Sequence, residues 1–343
     1  MRKLIVFLTA IIITSVLLIG NGAHFSARGE SLFHFFSSEK GRFPDSSNGG
    51  LNQIEIVPFV TEDRSLTSGF VPELKLYAPH LSIPSAHASV ILDVDSGKIL
   101  YAQNADIERQ IASLTKLFTA TIVMERIKNL DELVTIDAEA VYADGTRIGC
   151  PRSGFCNGER LKVGEQLAAR DLLKAALMNS ANDSAIALGK HIGKTQDGFA
   201  RIMNERAQEL GLIHTHFCTP SGLELDGRES ECYSSALDVA KIAAHALEFP
   251  KLWEIMRLDK QIIISSDGKW SHELFNTDQL LGQLPNLIGT KTGFTPLAGY
   301  SLLAVATDQS QTHRVVAVLL DDPYRWQNIQ SMFGWSFQAI DWK

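Results

Sequence analysis

Residues 287–320 read LIGTKTGFTPLAGYSLLAVATDQSQTHRVVAVLL. Three runs within it, 287–292, 300–307 and 314–320, are short and rich in apolar residues, as strands are. The last two flank a polar segment, 308–312, which suits a hairpin turn. A closing helix is expected over 324–340, with Trp326, Ile329, Met332, Phe333 and Trp335 available to cover a sheet.

Upstream the period changes. Helices are expected near 170–178, 184–192 and 199–210, the last two stopped by Gly193 and Gly211, and near 236–248 before Pro250. Leu114, Leu117, Phe118 and Ile122 make one apolar helical face. Further back, strand-like runs at 88–93 and 98–103 flank the turn Asp95, Ser96, Gly97. Strands at both ends of a helical middle predict an α+β architecture. We expect a largely antiparallel sheet flanked by helices, a helical lobe inserted at about 130–260, and a cleft between the two.

The N-terminus reads differently. Arg2 and Lys3 precede an apolar run of 17 residues, Leu4 to Gly20, which marks an export signal or an uncleaved anchor. Basic residues before such a run keep the N-terminus inside and send the rest outside the cytoplasm. Residues 21–84 mix Gly, Ser, Pro and charge without a sustained period, so a flexible tether is expected there and the folded domain over 85–343. With 343 residues, 45% of them hydrophobic, a sizeable core is affordable. The net charge of −7 argues against nucleic acid as a partner.

Four cysteines allow three disulfide connectivities. In an oxidising compartment the local pairs Cys150 with Cys156 and Cys218 with Cys232 are favoured, with buried free thiols as the alternative. Neither pair has the short spacing of a zinc site. His214 and His216 are read as turn or surface residues, since no metal-binding helix motif accompanies them.

Three short motifs follow one another: Ser113 to Lys116, Ser180 to Asn182, and Lys291 to Gly293. A Ser-x-x-Lys string alone carries no information, because the chain holds two more, at Ser37 and Ser266. Context separates them: Ser113 opens an amphipathic helix, Ser180 lies in a break between helices, and Lys291 to Gly293 ends a predicted strand. Lys-Thr-Gly occurs once, where roughly 0.1 is expected by chance.

On a helix, residues three apart share a face, so Lys116 can take the proton of the Ser113 hydroxyl. That requires a neutral amine. Bringing a lysine from about 10.4 to near 7 costs roughly 4–5 kcal/mol, which burial and a neighbouring cation such as Lys291 can supply. Ser180 and Asn182 offer a hydroxyl and an amide for proton relay and substrate holding; the alternative is that Asn182 or Asp183 caps the helix expected to begin near Ser184. Lys291 and Thr292 suit a substrate carboxylate, and Gly293 leaves room beside the strand edge.

With these motifs the chain resembles the low-molecular-weight penicillin-binding proteins, the D-alanyl-D-alanine carboxypeptidases of the S11 peptidase family. The likeness takes in 112–120 (ASLTKLFTA), 177–184 (LMNSANDS), 219–223 (TPSGL) and 289–295 (GTKTGFT). It also takes in Met203 and Asn204, Leu210 and Gly211, Asn276 and Thr277, Leu280 and Leu281, and Ala298 and Gly299. The resemblance implies a β-lactamase/transpeptidase-like fold and a serine acyl-enzyme mechanism acting on peptidoglycan stem peptides. It implies Ser113 as nucleophile, Lys116 as base, and Ser180 with Asn182 in relay and holding. Lys291 and Thr292 would meet the substrate carboxylate, and the backbone N–H groups of Ser113 and Phe294 would form the oxyanion hole. β-Lactams would be covalent inhibitors, and no metal or organic cofactor is needed.

The four cysteines fall outside the family pattern, and Asp278 stands where a second Asn is frequent. The chain ends soon after the closing helix, so any membrane attachment is expected at the N-terminus. Alternatives on the same scaffold are a D,D-endopeptidase cutting crosslinks and a class A β-lactamase. Ser-Ala-Asn in place of Ser-Asp-Asn disfavours the β-lactamase. A catalytically silent wall-binding module is the alternative from another class; the complete motif set argues against it.

Overall fold

The computed structural model describes residues 71–343, apart from 152–154 and 285. The expected export segment and most of the expected tether lie outside the described residues. Among the described residues no helix is long and apolar enough to cross a membrane.

Strands β1 (Pro72–Leu74), β2 (Ala88–Asp93) and β3 (Ile99–Gln103) lead into helix α1 (Thr115–Arg126). Next come β4 (Leu133–Thr135), α2 (Ala138–Val141), β5 (Gln166–Ala168), α3 (Ala169–Leu177), α4 (Asn182–Gly193) and α5 (Gln196–Glu209). After α6 (Ala236–Ala246) and α7 (Pro250–Met256) come β6 (Lys260–Ile264) and β7 (Ser271–Phe275). The chain closes with β8 (Leu287–Thr295), β9 (Gly299–Thr307), β10 (Arg314–Leu320), α8 (Arg325–Ala339) and β11 (Ile340–Trp342).

Five strands form one antiparallel sheet in the order β3-β2-β10-β9-β8. The central strand β10 is apolar on both faces. Val316, Val318 and Leu320 join the larger core beneath α1 and α6, while Val315, Ala317 and Leu319 join the smaller core under α8. This alternation is the two-residue period of a strand covered on both sides. Helix α1 is buried all round from Thr115 to Val123, which marks it as the central helix. The stretch 130–260 holds α2 to α7 and the two-stranded sheet β4–β5, and the β6–β7 hairpin follows it.

Two expectations need correction. Residues 71–84 are not tether: β1 pairs antiparallel with β11, Ile83 is buried, and the Pro79 carbonyl accepts a hydrogen bond from Trp335 Nε1 at 2.7 Å. The partners lie at the far end of the chain, so no local period announces them. Nor does Lys291 to Gly293 end its strand. β8 runs on to Thr295, its edge position next to β9 tolerating the glycine.

Candidate active site

Ser113 sits in a 3-10 turn, Ala112–Leu114, immediately before α1. Ala112 takes a positive φ of 49°, a conformation a non-glycine residue holds only when its surroundings fix it. The 219–223 loop is packed against this turn. A Cβ on Gly222 would lie 2.0 Å from the Ala112 carbonyl oxygen, and its φ is +79°, so both space and backbone demand glycine.

Lys116, one turn on, is fully buried. Its Nζ lies 2.7 Å from Ser113 Oγ, 2.6 Å from Asn182 Oδ1 and 2.7 Å from the Ser221 carbonyl oxygen. A neutral amine has two hydrogens and one lone pair. It therefore fits this site by donating to Asn182 and Ser221 while accepting from the serine hydroxyl. Burial, and then the Lys291 charge, push Lys116 well below the ordinary lysine range, with Asp183 opposing.

Asn182 begins α4, but its side chain does not cap the helix; the Oδ1 faces Lys116, and Nδ2 donates to the Asp144 carbonyl at 2.7 Å. Ser180, at φ 57°, turns its hydroxyl into reach of Lys291 Nζ, 2.9 Å away. Lys291 is buried in β8 and also donates to the Thr292 carbonyl at 2.9 Å. Burial and the nearby Arg325 charge bring it down to about 7. Thr292 Oγ1 meets Thr277 Oγ1 at 3.0 Å, and the Phe294 ring packs on Tyr300. Gly293 has a use beyond substrate clearance: a Cβ there would stand 2.7 Å from the Ile111 carbonyl, so the glycine lets β8 approach the serine's turn.

A cavity of about 750 Å³ opens on Ser113, Ser180, Thr292, Gly293 and Phe294, with Lys116, Asn182 and Lys291 buried behind its walls. The eight candidate site residues thus converge. Cys150 is bonded to Cys156 and lines the cavity, whereas Cys218 and Cys232 are bonded to each other beside the 219–223 loop. The Ser266 decoy lies in the β6–β7 turn, where Lys269 pairs with Asp267 instead. His214 and His216 contact Glu108 and the Glu231 carbonyl.

Sequence reasoning missed three contributors. Ser221 acts through a backbone carbonyl, which no side chain advertises. Arg325 reaches the Gly293 and Ser301 carbonyls from α8 at 3.1 Å each. Asp183, buried and pushed up to about 6 by burial, accepts from Ile148 N at 3.0 Å and ties the 144–150 rim to α4. Its place directly after Asn182 was the available signal.

The model of the S11 peptidase family, D-alanyl-D-alanine carboxypeptidase, matches residues 77–324. The chain is 31% identical over 275 residues to D-alanyl-D-alanine carboxypeptidase DacA of Escherichia coli K12, covering 78% of this chain and 64% of that protein. It therefore spans somewhat less than two thirds of that relative's length. Among solved structures, the D-alanyl-D-alanine carboxypeptidase of Mycobacterium tuberculosis aligns at a TM-score of 0.67 and 27% identity, over 78% of this chain and 96% of that one. Penicillin-binding protein D2 of Listeria monocytogenes, in its ampicillin-bound form, aligns at 0.62 and 30%, over 76% and 99%. By fold, by motif geometry and by these likenesses, the chain belongs to the S11 peptidase family of D-alanyl-D-alanine carboxypeptidases.

Proposed function

We propose that this chain is a serine-type D-alanyl-D-alanine carboxypeptidase of the cell envelope, acting on peptidoglycan stem peptides. The observation that carries the proposal is a buried lysine amine, depressed below its usual range, 2.7 Å from the Ser113 hydroxyl.

Lys116 takes the hydroxyl proton as Ser113 Oγ attacks the carbonyl carbon of the penultimate D-alanine. The oxyanion forms against the backbone N–H groups of Ser113 and Phe294. Collapse breaks the C–N bond, and the proton that Lys116 took passes by way of the Ser180 hydroxyl, itself held by Lys291, to the leaving nitrogen, which returns Lys116 to its neutral form. Asn182 steadies the Lys116 amine throughout. Free D-alanine departs, leaving an ester on Ser113. Water then attacks that ester, giving its proton to Lys116 and restoring the serine. One water is consumed for each D-alanine released. Lys291 and Thr292 hold the terminal carboxylate. A β-lactam would follow the same first step and remain as the ester. The N-terminal segment would hold the enzyme at the membrane or export it.

The test is digestion of monomeric pentapeptide muropeptides and of crosslinked dimers, followed by mass spectrometry. Wild type should remove one alanine from the monomer, and Ser113→Ala should remove none. Cleavage confined to crosslinked dimers would overturn the carboxypeptidase reading in favour of an endopeptidase.

A further inference from the structure

Neither disulfide enters the steps derived for Ser113. One of them, Cys150–Cys156, lines the cavity, with Cys150 buried and Cys156 exposed. Among the described residues, the stretch between α2 and β5 forms no helix or strand and carries only the isolated bridge between Arg147 and Cys150. The Gly149 carbonyl accepts from the Asn157 and Gly158 N–H groups at 3.0 and 3.1 Å, and a Cβ on Gly149 would lie 2.6 Å from the Gly158 carbonyl oxygen. The disulfide therefore clips together two passes of chain, 144–150 and 156–158, that meet at Gly149. The first pass is the one that holds Asn182. Its Asp144 carbonyl accepts from Asn182 Nδ2 at 2.7 Å, its Thr146 carbonyl accepts from Asn182 N at 2.7 Å, and Ile148 N donates to Asp183 at 3.0 Å. Asn182 Oδ1 lies 2.6 Å from Lys116 Nζ. A connected path thus leads from the disulfide to the amine beside Ser113.

We propose that the Cys150–Cys156 disulfide positions Asn182 and makes this peptidase sensitive to thiols. The inference rests on the reading of Ser113 as the acylated serine. A stretch without helix or strand opens at low cost, and a covalent bridge limits how far it can move. Asn182 is bonded to this stretch through backbone carbonyls, so its amide follows that backbone. Reduction needs a dithiol from outside the chain. One thiolate of the reagent attacks Sγ of Cys156, the exposed partner; the S–S bond breaks, and Cys150 leaves as a thiolate that takes up a proton. The second thiolate of the reagent then displaces Cys156, whose sulfur is protonated in turn. Two electrons pass to the protein, and the reagent departs as a disulfide. The slackened 144–150 rim loosens Asn182 from Lys116 and slows acylation. The bridge acts through the backbone it ties.

The test follows acylation by benzylpenicillin in oxidised wild type, in wild type reduced with dithiothreitol and freed of the reagent, and in Cys150→Ser/Cys156→Ser. The same double substitution is also placed on Asn182→Ala. We expect reduction and the double substitution each to slow acylation about 10-fold, reoxidation to restore the wild type, and dithiothreitol to change the doubly substituted protein less than about 2-fold. Because the bridge acts through Asn182, removing it from Asn182→Ala should cost less than about 2-fold. An undiminished rate in wild type whose Cys150 and Cys156 are shown by alkylation to be free thiols would overturn the proposal. The same 10-fold loss in the Asn182→Ala background would overturn it too, leaving the bridge a general staple. A loss on reduction that persists in the doubly substituted protein would assign the effect to Cys218–Cys232 instead. Should the double substitution prevent folding, reduction of wild type and of Asn182→Ala completes the same comparison. An oxidised wild type that takes no penicillin at all would sink the reading of Ser113, and the disulfide's role with it.

Discussion

The helical wall of the cavity and its strand wall each present a fully buried lysine, under different constraints. Lys116 stands among three oxygen partners at the start of α1, between the turn at Ala112 and the loop at Ser180, both of which hold positive φ. Its surroundings are overdetermined and leave it little freedom. Lys291 lies in a regular strand, register-matched to Leu303 on β9, with two partners and an open strand edge beside it. On the proposed function the two lysines divide the labour, Lys116 serving proton transfer and Lys291 recognition. Strained backbone and saturated hydrogen bonding accompany proton transfer, where geometry must be fixed to a fraction of an ångström. An unstrained edge accompanies recognition, where a peptide must enter and leave.

Lys116→Arg should have the largest effect. Arginine stays charged and has no lone pair to accept a proton, so acylation should fall by about 10³-fold or more, measured by stopped-flow with a β-lactam. A loss under 10-fold would mean that another group is the base.

Lys291→Met should cost less, about 30- to 100-fold in kcat/KM, by removing one charge-assisted contact with the carboxylate. It should also stabilise the fold. Lys291 is held at about 7 in the folded protein against an unfolded value near 10.5, so the native state binds fewer protons between those values. Stability therefore rises with pH across that window, and at neutral pH the buried lysine costs roughly 4–5 kcal/mol. Removing it should raise Tm by about 5 °C or more, read by calorimetry. Activity lost together with stability lost would refute the cost assigned to burial.

The smallest effect concerns pH. Neutral Lys116 is favoured as pH rises, while the Lys291 cation is lost above about 7, so kcat/KM should rise and then fall. Lys291→Arg, charged throughout, should abolish the falling limb. Persistence of that limb would assign it to another group.

Much of this was legible before any coordinates. Strands β2 and β10 match the expected 88–93 and 314–320 residue for residue, because covered strands read as short, mainly apolar runs. The side chains gathered at the cavity were legible because the three motifs sit at element boundaries, where helix starts and strand edges aim side chains into a common space. Other features left no local trace. The β6–β7 hairpin escaped detection because Ile262 and Ile264 are exposed while Ile263 between them is buried, so no apolar alternation marks the strand. The packing of 71–84 escaped because β1 is three residues long and its partner is at the other end of the chain. The Ser221 carbonyl and the close approach at Gly222 are backbone features, which residue types alone do not encode.

Intact-protein mass spectrometry after brief exposure to benzylpenicillin decides whether Ser113 is the nucleophile. Wild type should gain the mass of one penicillin, with peptide mapping assigning it to Ser113, and Ser113→Ala should gain none. An adduct on any other residue, or an undiminished adduct on the alanine variant, would contradict the pairing of Ser113 with Lys116.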